Sequence, residues 1–225
     1  HKYEKRENTD DTEIARGLLN KAIELDDNLI VAKNQLGTTY KDMGDYDEAM
    51  KIYTPNLKQA EKFGDKRGMG YSLGNIGIVH SDKGDYEKAL DYFKRSLKIT
   101  EELGDKRGIG ASLNNIGGVY FNKGDYEKAL DYYDRSLAIA EELGDKRGMG
   151  ASLNNIGIVY SDKGDYDKAL EYIDKSLNIQ REIGLKEIEL ETTTYLYLTH
   201  KHLGKEYDEN EIHILIEKAE NIDFE

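Results

Sequence analysis

The sequence predicts an all-α fold, a right-handed superhelical solenoid of stacked helix-turn-helix repeats. Three observations predict it. The chain repeats itself with a period of 40 residues, its apolar residues recur at helical spacing inside each repeat, and a Gly-Asp pair punctuates each expected helix end. The string Gly-Asp-Lys-Arg-Gly starts at Gly64, Gly104 and Gly144. Residues 64–103 and 104–143 match at 29 of 40 positions, and residues 104–143 and 144–183 at 28 of 40. The register divides the chain into a leading half-repeat (1–27), four repeats (28–63, 64–103, 104–143, 144–183) and a degenerate C-terminal repeat or cap (184–225), expected to form one continuous domain.

The third repeat justifies each element. Asp105 follows Gly104 and can cap a helix running to about Lys123. Leu113, Ile116, Gly117 and Tyr120 lie at i, i+3, i+4 and i+7, one face of that helix. Gly124 ends it, because a C′ residue takes positive φ and glycine does so without steric cost. Asp125 caps a second helix whose apolar face is Ala129, Leu130, Tyr133, Ser136, Leu137 and Ala140, and Gly144 closes it. The first repeat shows the same marks at Leu36-Gly37, Tyr40 and Gly44-Asp45-Tyr46. Residues 1–27 read as a trailing second helix, with Ile14, Leu18, Leu19, Ala22 and Ile23 at helical spacing. One helix pair cannot bury both of its faces, so the pairs must stack. Pro55 stands inside a second helix, where repeats two and three carry Arg95 and Arg135. An interior proline removes a hydrogen bond and costs about 3 kcal/mol or kinks the helix, so a bend is expected there.

Composition narrows the function. Among 225 residues, 32 Lys and Arg stand against 45 Asp and Glu, a net charge of −13. That argues against nucleic acid, whose affinity comes from cations on phosphates, and against anionic membrane surfaces. No apolar run approaches the roughly 18 residues of a membrane span, and a cytoplasmic location is expected. With no cysteine, disulfides, thiolate metal sites and a cysteine nucleophile are excluded. The opening at His1 rather than Met points to an excerpt of a longer chain.

The unit Leu113-x-x-Ile116-Gly117-x-x-Tyr120, followed by Ala129, Tyr133 and Ser136, resembles the tetratricopeptide repeat, and the resemblance covers residues 28–225. Two features depart from the usual 34-residue pattern. Ser96, Ser136 and Ser176 replace its second alanine, and the terminal proline is lost with six residues added. This 40-residue variant is similar to the repeats of kinesin light chain and of the mitotic adaptor that binds NuMA and Inscuteable. The resemblance implies a protein-interaction scaffold whose first helices line a concave groove, with an asparagine row for peptide ligands. It implies no cofactor, and no catalytic role for this segment. The C-terminal stretches Glu191–Leu198, Lys201–Lys205 and Ile216–Ile222 also resemble tetratricopeptide regions attached to bacterial class III adenylate/guanylate cyclases. That would make the chain a regulatory or self-association module of a larger signalling enzyme.

The groove stripe follows from helical geometry. Steps of about 100° per residue place Ala111, Asn114, Asn115, Gly118 and Asn122 in one sector opposite the packing face. The equivalent residues are Val31, Asn34, Gln35, Thr38 and Asp42; Tyr71, Gly74, Asn75, Ile78 and Asp82; and Ala151, Asn154, Asn155, Ile158 and Asp162. An asparagine side chain both donates and accepts, so a row of them can pair with the N–H and C=O groups of an extended peptide without reading its side chains. Asn75, Asn115 and Asn155 recur in one register, and Asn34, Asn114 and Asn154 in another. Equally, such amides can bond to the neighbouring helix and fix the stacking of repeats. Tyr71, Gly74, Gly118 and Phe121 break the regular pattern, and ligand side chains would lie beside Tyr71, Ile78, Phe121 and Ile158. The six asparagines and these last four residues are the candidate peptide-binding site.

Other features are weaker. Lys66-Arg67, Lys106-Arg107 and Lys146-Arg147 form a basic ladder, expected to pair locally with Glu101-Glu102 and Glu141-Glu142 or to remain a solvated face. Gly68-x-Gly70-x-x-x-Gly74 has the wrong spacing for a nucleotide loop and no strand before it. His200 and His202 diverge on a helix, and His80 takes the place of Tyr120 and Tyr160. No catalytic or metal-binding constellation stands out. A last helix with Ile212, Leu215, Ile216, Ala219 and Ile222 on one stripe would cap the stack or allow self-association through its end.

Overall fold

The computed structural model describes residues 4–184 and 186–203, and among these the chain is helical with no strand. Residues 1–108 and 109–225 form two compact units. The first holds α1 (Glu4–Leu25), α2 (Ile30–Asp42), α3 (Tyr46–Phe63), α4 (Lys66–Asp82) and α5 (Tyr86–Leu103). α6 (Lys106–Asn122) starts at the boundary and lies mostly in the second unit, with α7 (Tyr126–Leu143), α8 (Lys146–Asp162), α9 (Tyr166–Ile183) and α10 (Lys186–His202). The helices form consecutive antiparallel pairs: α2 with α3 and α4 with α5 in the first unit, α6 with α7 and α8 with α9 in the second. α1 precedes the pairs as the expected half-repeat. The last expected helix, with Ile212, Leu215 and Ile216, lies outside the described residues.

The turns are short because one Gly-Asp step finishes one helix and starts the next. After α6, Gly124 takes φ +75°. Its N–H donates to Phe121 O at 2.8 Å, and that of Asp125 reaches back to Tyr120 O at 2.9 Å. The Asp125 carboxylate then accepts from Lys128 N–H at 3.3 Å and caps α7. Asp65 and Asp145 cap α4 and α8 in the same way, accepting from Gly68 and Gly148 N–H at 2.9 and 3.1 Å.

Each pair is locked by a glycine on its first helix and a large side chain 16 residues later on its second. A Cβ on Gly37 would meet Tyr53 at 2.4 Å, one on Gly77 would meet Phe93 at 2.6 Å, one on Gly117 would meet Tyr133 at 2.7 Å, and one on Gly157 would meet Ile173 at 2.6 Å. The glycines let the two helices approach until these rings and chains fill the gap. Tyr53, Phe93 and Ile173 are fully buried, each stabilising the fold by about 2–3 kcal/mol on apolar area alone. Around Tyr53 pack Ala49, Leu57, Leu73, Ile76 and Val79; around Tyr133 pack Ala129, Ile156 and Val159.

A second tie recurs at the position where serine replaces alanine. The hydroxyls of Ser96, Ser136 and Ser176 donate to the carbonyls of Gly70, Gly110 and Gly150, at 3.0, 3.0 and 2.8 Å. In the first repeat Asn56 takes this place and donates to Ile30 O at 3.0 Å. The substitution seen in the sequence therefore adds a buried bond within each pair.

One expectation changes, on α1. Leu19, Ala22 and Ile23 turn inward with Ala15 and Arg16, whereas Ile14 and Leu18 are 61% and 69% exposed. A single helix face cannot hold all five, and the packed stripe is the one that includes Ala15 and Leu19. α3 continues as one helix through Pro55, which sits on its exposed side where solvent can meet the freed carbonyl.

Candidate functional site

The groove stripe falls on the first helices, α2 and α4 in the first unit, α6 and α8 in the second. In the first unit Val31 and Tyr71, in equivalent positions, are 62% and 61% exposed. Asn75 and Ile78 are half-buried beside Tyr71, and Asn34 is buried. In the second unit Asn114, Asn115, Asn155, Ile158 and Phe121 are half-buried and Asn154 is buried. The structure thus brings Asn34, Tyr71, Asn75 and Ile78 onto one unit, and the other six candidates onto the other. Phe121 leans on Tyr126, ring centroids 5.9 Å apart, and packs beside the Tyr133 cluster, so it is held from within.

The six asparagines do not behave alike. Asn34 Oδ1 accepts from Ser72 Oγ at 3.2 Å, and Asn154 Oδ1 accepts from Thr192 Oγ1 at 3.3 Å. Asn155 Nδ2 donates to Asn114 Oδ1 at 3.0 Å. Each of these bonds joins the first helix of one pair to that of the next, which is the stacking role. Asn75 and Asn115 make no side-chain hydrogen bond to any described residue and keep both donor and acceptor free at the surface.

Charge is arranged in matched pairs. Lys66 Nζ bonds Glu102 at 2.8 Å, and Lys146 bonds Glu182. The acid lies 36 residues after the lysine, at the end of the same pair's second helix, rather than just before it as local pairing would have it. A mirrored set runs from Lys83 to Asp47 and from Lys163 to Glu127, each at 2.8 Å. Hydrogen bonds from these lysines, with their charge, hold Asp47, Glu102 and Glu127 below the ordinary carboxylate range. Asp82, at the far end of the α4 stripe, moves the other way: burial raises it, Lys41 lowers it and Asp42 raises it.

Sequence reasoning missed a stacked ring pair on the second, third and fourth helix pairs. Tyr120 stacks on Tyr132 and Tyr160 on Tyr172, at 5.5 and 5.6 Å. Lys128 and Arg135 lie over the outer ring faces of the first stack, both 5.1 Å from the centroids. The signal was present as Tyr-x11-Tyr-x2-Arg/Lys in the third and fourth repeats. His80 takes the tyrosine place, stacking on Tyr92 at 5.4 Å with Nδ1 3.3 Å from Asp85. Gly68, Gly70 and Gly74 lie inside α4, not in a loop. Among the described residues no group of three or more His, Cys, Asp or Glu is placed to hold a metal, and no helix is long and apolar enough to cross a membrane.

Comparison with known proteins agrees with this geometry. No curated protein sequence matches the chain. The family model for the tetratricopeptide repeat matches residues 27–102 and 108–182. Among solved structures, a putative kinesin light chain of Podosopora anserina with nearly identical repeats aligns at TM-score 0.62 and 16% identity, over 87% of this chain and 95% of that one. A Rap protein complexed with Competence and Sporulation Factor aligns at TM-score 0.73 and 21% identity, over 85% of this chain and 52% of that one. A STAND signal transduction ATPase with a tetratricopeptide repeat sensor, from Pyrococcus horikoshii, aligns at 0.71 and 22%, over 93% of this chain and 34% of that one. The chain thus spans about half of the Rap protein and a third of the ATPase. It belongs to the tetratricopeptide repeat family, whose repeats are protein-interaction scaffolds.

Proposed function

We propose that the first-helix faces of each unit bind an extended peptide segment of a protein partner, its main chain held by Asn75 on the first unit and by Asn115 on the second. The observation that carries this reading is the division among the asparagines. Asn34, Asn114, Asn154 and Asn155 are spent on stacking, while Asn75 and Asn115 stand half-buried in one register with nothing to bond. A half-buried amide with free donor and acceptor forms two hydrogen bonds to a peptide group at little further desolvation cost. Exposed Tyr71, one helical turn before Asn75 on α4, supplies apolar contact for a ligand side chain. The segment acts by binding, with no catalytic step of its own. A Rap protein of similar fold is complexed with a factor, which supports ligand binding by this fold. Panning a randomised ten-residue peptide library on the wild-type chain tests the reading: recovered peptides must lose affinity to the Asn75→Ala and Asn115→Ala variants.

Self-association is a second reading, favoured by α1. Ile14, Leu18 and Leu25 are 61%, 69% and 83% exposed on this first helix. Sedimentation of the wild type and of Ile14→Glu/Leu18→Glu over a concentration series separates the two readings, because only self-association depends on these residues.

A further inference from the structure

One tyrosine hydroxyl beneath the α6 face has no hydrogen-bond partner among the described residues. Tyr133, on α7, is 4% exposed, and its Oη makes no hydrogen bond to any described residue. It lies beneath Gly118 on α6: a Cβ added to Gly118 would stand 3.6 Å from Oη, with no other atom within 4 Å apart from its chain neighbours and its own helix backbone. Gly118 is therefore a notch in the face, with the phenol at its floor. Desolvation by burial, with no hydrogen bond to offset it, pushes the Tyr133 hydroxyl well above the ordinary tyrosine range.

The other repeats show what this position ordinarily contains. In the first repeat Thr38 stands over Tyr53, with Oγ1 3.1 Å from Oη. Thr38 donates its own proton to Asn34 O at 3.0 Å, so Tyr53 is the donor in the pair. In the second repeat the equivalent positions hold Ile78 and Phe93, and in the fourth Ile158 and Ile173. A hydroxyl below is matched by an acceptor above, and an apolar side chain below by isoleucine above. Only the third repeat presents a hydroxyl donor under an empty position.

We infer that the Gly118 notch is a subsite for one acceptor oxygen, the main-chain carbonyl of a bound peptide, which takes the place of Thr38 Oγ1 and accepts from Tyr133 Oη. The inference rests on the reading that the second unit binds peptide on its α6 face, where Asn115 stands three residues before Gly118. Together the two residues fix the register of the peptide: Asn115 bonds one peptide group, and the notch admits the carbonyl of another while refusing a side chain.

N-methylacetamide, a single peptide group, is the direct probe. Titrated into the wild-type chain and followed by NMR, it should give a saturable shift at the Gly118 amide and the Tyr133 ring. The shift should be lost in Tyr133→Phe, which installs the residue found at Phe93, and in Gly118→Thr, which rebuilds the Thr38–Tyr53 pair. Gly118→Thr should melt at or above the wild-type temperature, and Tyr133→Phe decides the matter if that variant does not fold. A library-selected peptide should bind Tyr133→Phe about five- to tenfold more weakly, the loss of one hydrogen bond. An amide shift that persists in Tyr133→Phe, or none in the wild type, overturns the subsite. Failure of the library to yield any peptide overturns the peptide reading instead, while the amide titration still decides whether the notch takes a carbonyl.

Discussion

Asn155 Nδ2 donates to Asn114 Oδ1 at 3.0 Å, joining α8 to α6 within the second unit. The two residues are 41 positions apart, one more than the repeat, so the bond links the two asparagine registers rather than running along one. Asn114→Ala and Asn155→Ala should each cost about 1 kcal/mol, and a double-mutant cycle should return a coupling of about 0.5–1.5 kcal/mol. Asn115→Ala, one residue from Asn114 but without a bond, should leave stability within about 0.5 kcal/mol of wild type. Urea titration of the four chains measures this.

Gly117 and Gly118 are adjacent and should respond with opposite signs to alanine. At Gly117 the new Cβ would lie 2.7 Å from the Tyr133 ring, so the helices must part, at a cost of about 1–3 kcal/mol. At Gly118 it would make ordinary contact at 3.6 Å, and the helix gains about 1 kcal/mol from replacing glycine. Thermal melts should show Gly117→Ala falling and Gly118→Ala rising.

Each serine tie should contribute separately. Ser96→Ala and Ser176→Ala remove a bond to the carbonyls of Gly70 and Gly150, and each should cost about 1 kcal/mol. The two residues lie in different pairs with no shared partner, so the double variant should show the sum to within about 0.5 kcal/mol.

The lysine–acid pairs set the acid dependence. Glu102, Asp47 and Glu127 are held below their ordinary values by Lys66, Lys83 and Lys163. A lowered folded-state value means the contribution is complete above the unfolded value near 4 and is lost as pH falls through the folded one. Melting temperature should therefore drop between about pH 5 and pH 3, and less steeply in the Lys66→Met/Lys83→Met/Lys163→Met variant. Salt near 0.5 M should narrow the difference, because these pairs are exposed. Parallel slopes in the two chains would contradict the assignment.

The helix ends were legible because their chemistry is local: Gly124 and Asp125 state a stop and a start in two letters, and each expected boundary in the third repeat falls within a residue of the structure. The inward residues of α6 and α7 were legible from spacing. What spacing could not give is contact between helices. Gly117 read as one more small residue of the apolar stripe, and only its approach to Tyr133 shows it as the seat of a ring. Lys146 had Glu141 and Glu142 close by in sequence, but helix antiparallelism brings Glu182 to it. Asn114 and Asn115 looked interchangeable because a one-residue step, about 100° on a helix, decides which amide turns to the neighbouring helix and which to solvent. The same step separates Leu18 from Leu19 on α1.

The most direct test is calorimetric binding of a library-selected peptide to the wild-type chain and to the Asn75→Ala/Asn115→Ala double variant. Circular dichroism confirms that both are folded. The account predicts at least about a tenfold loss of affinity, the value of one or two hydrogen bonds, with an unchanged melting temperature. Equal affinity in the two chains would contradict it, and would leave Asn75 and Asn115 as surface residues without a ligand.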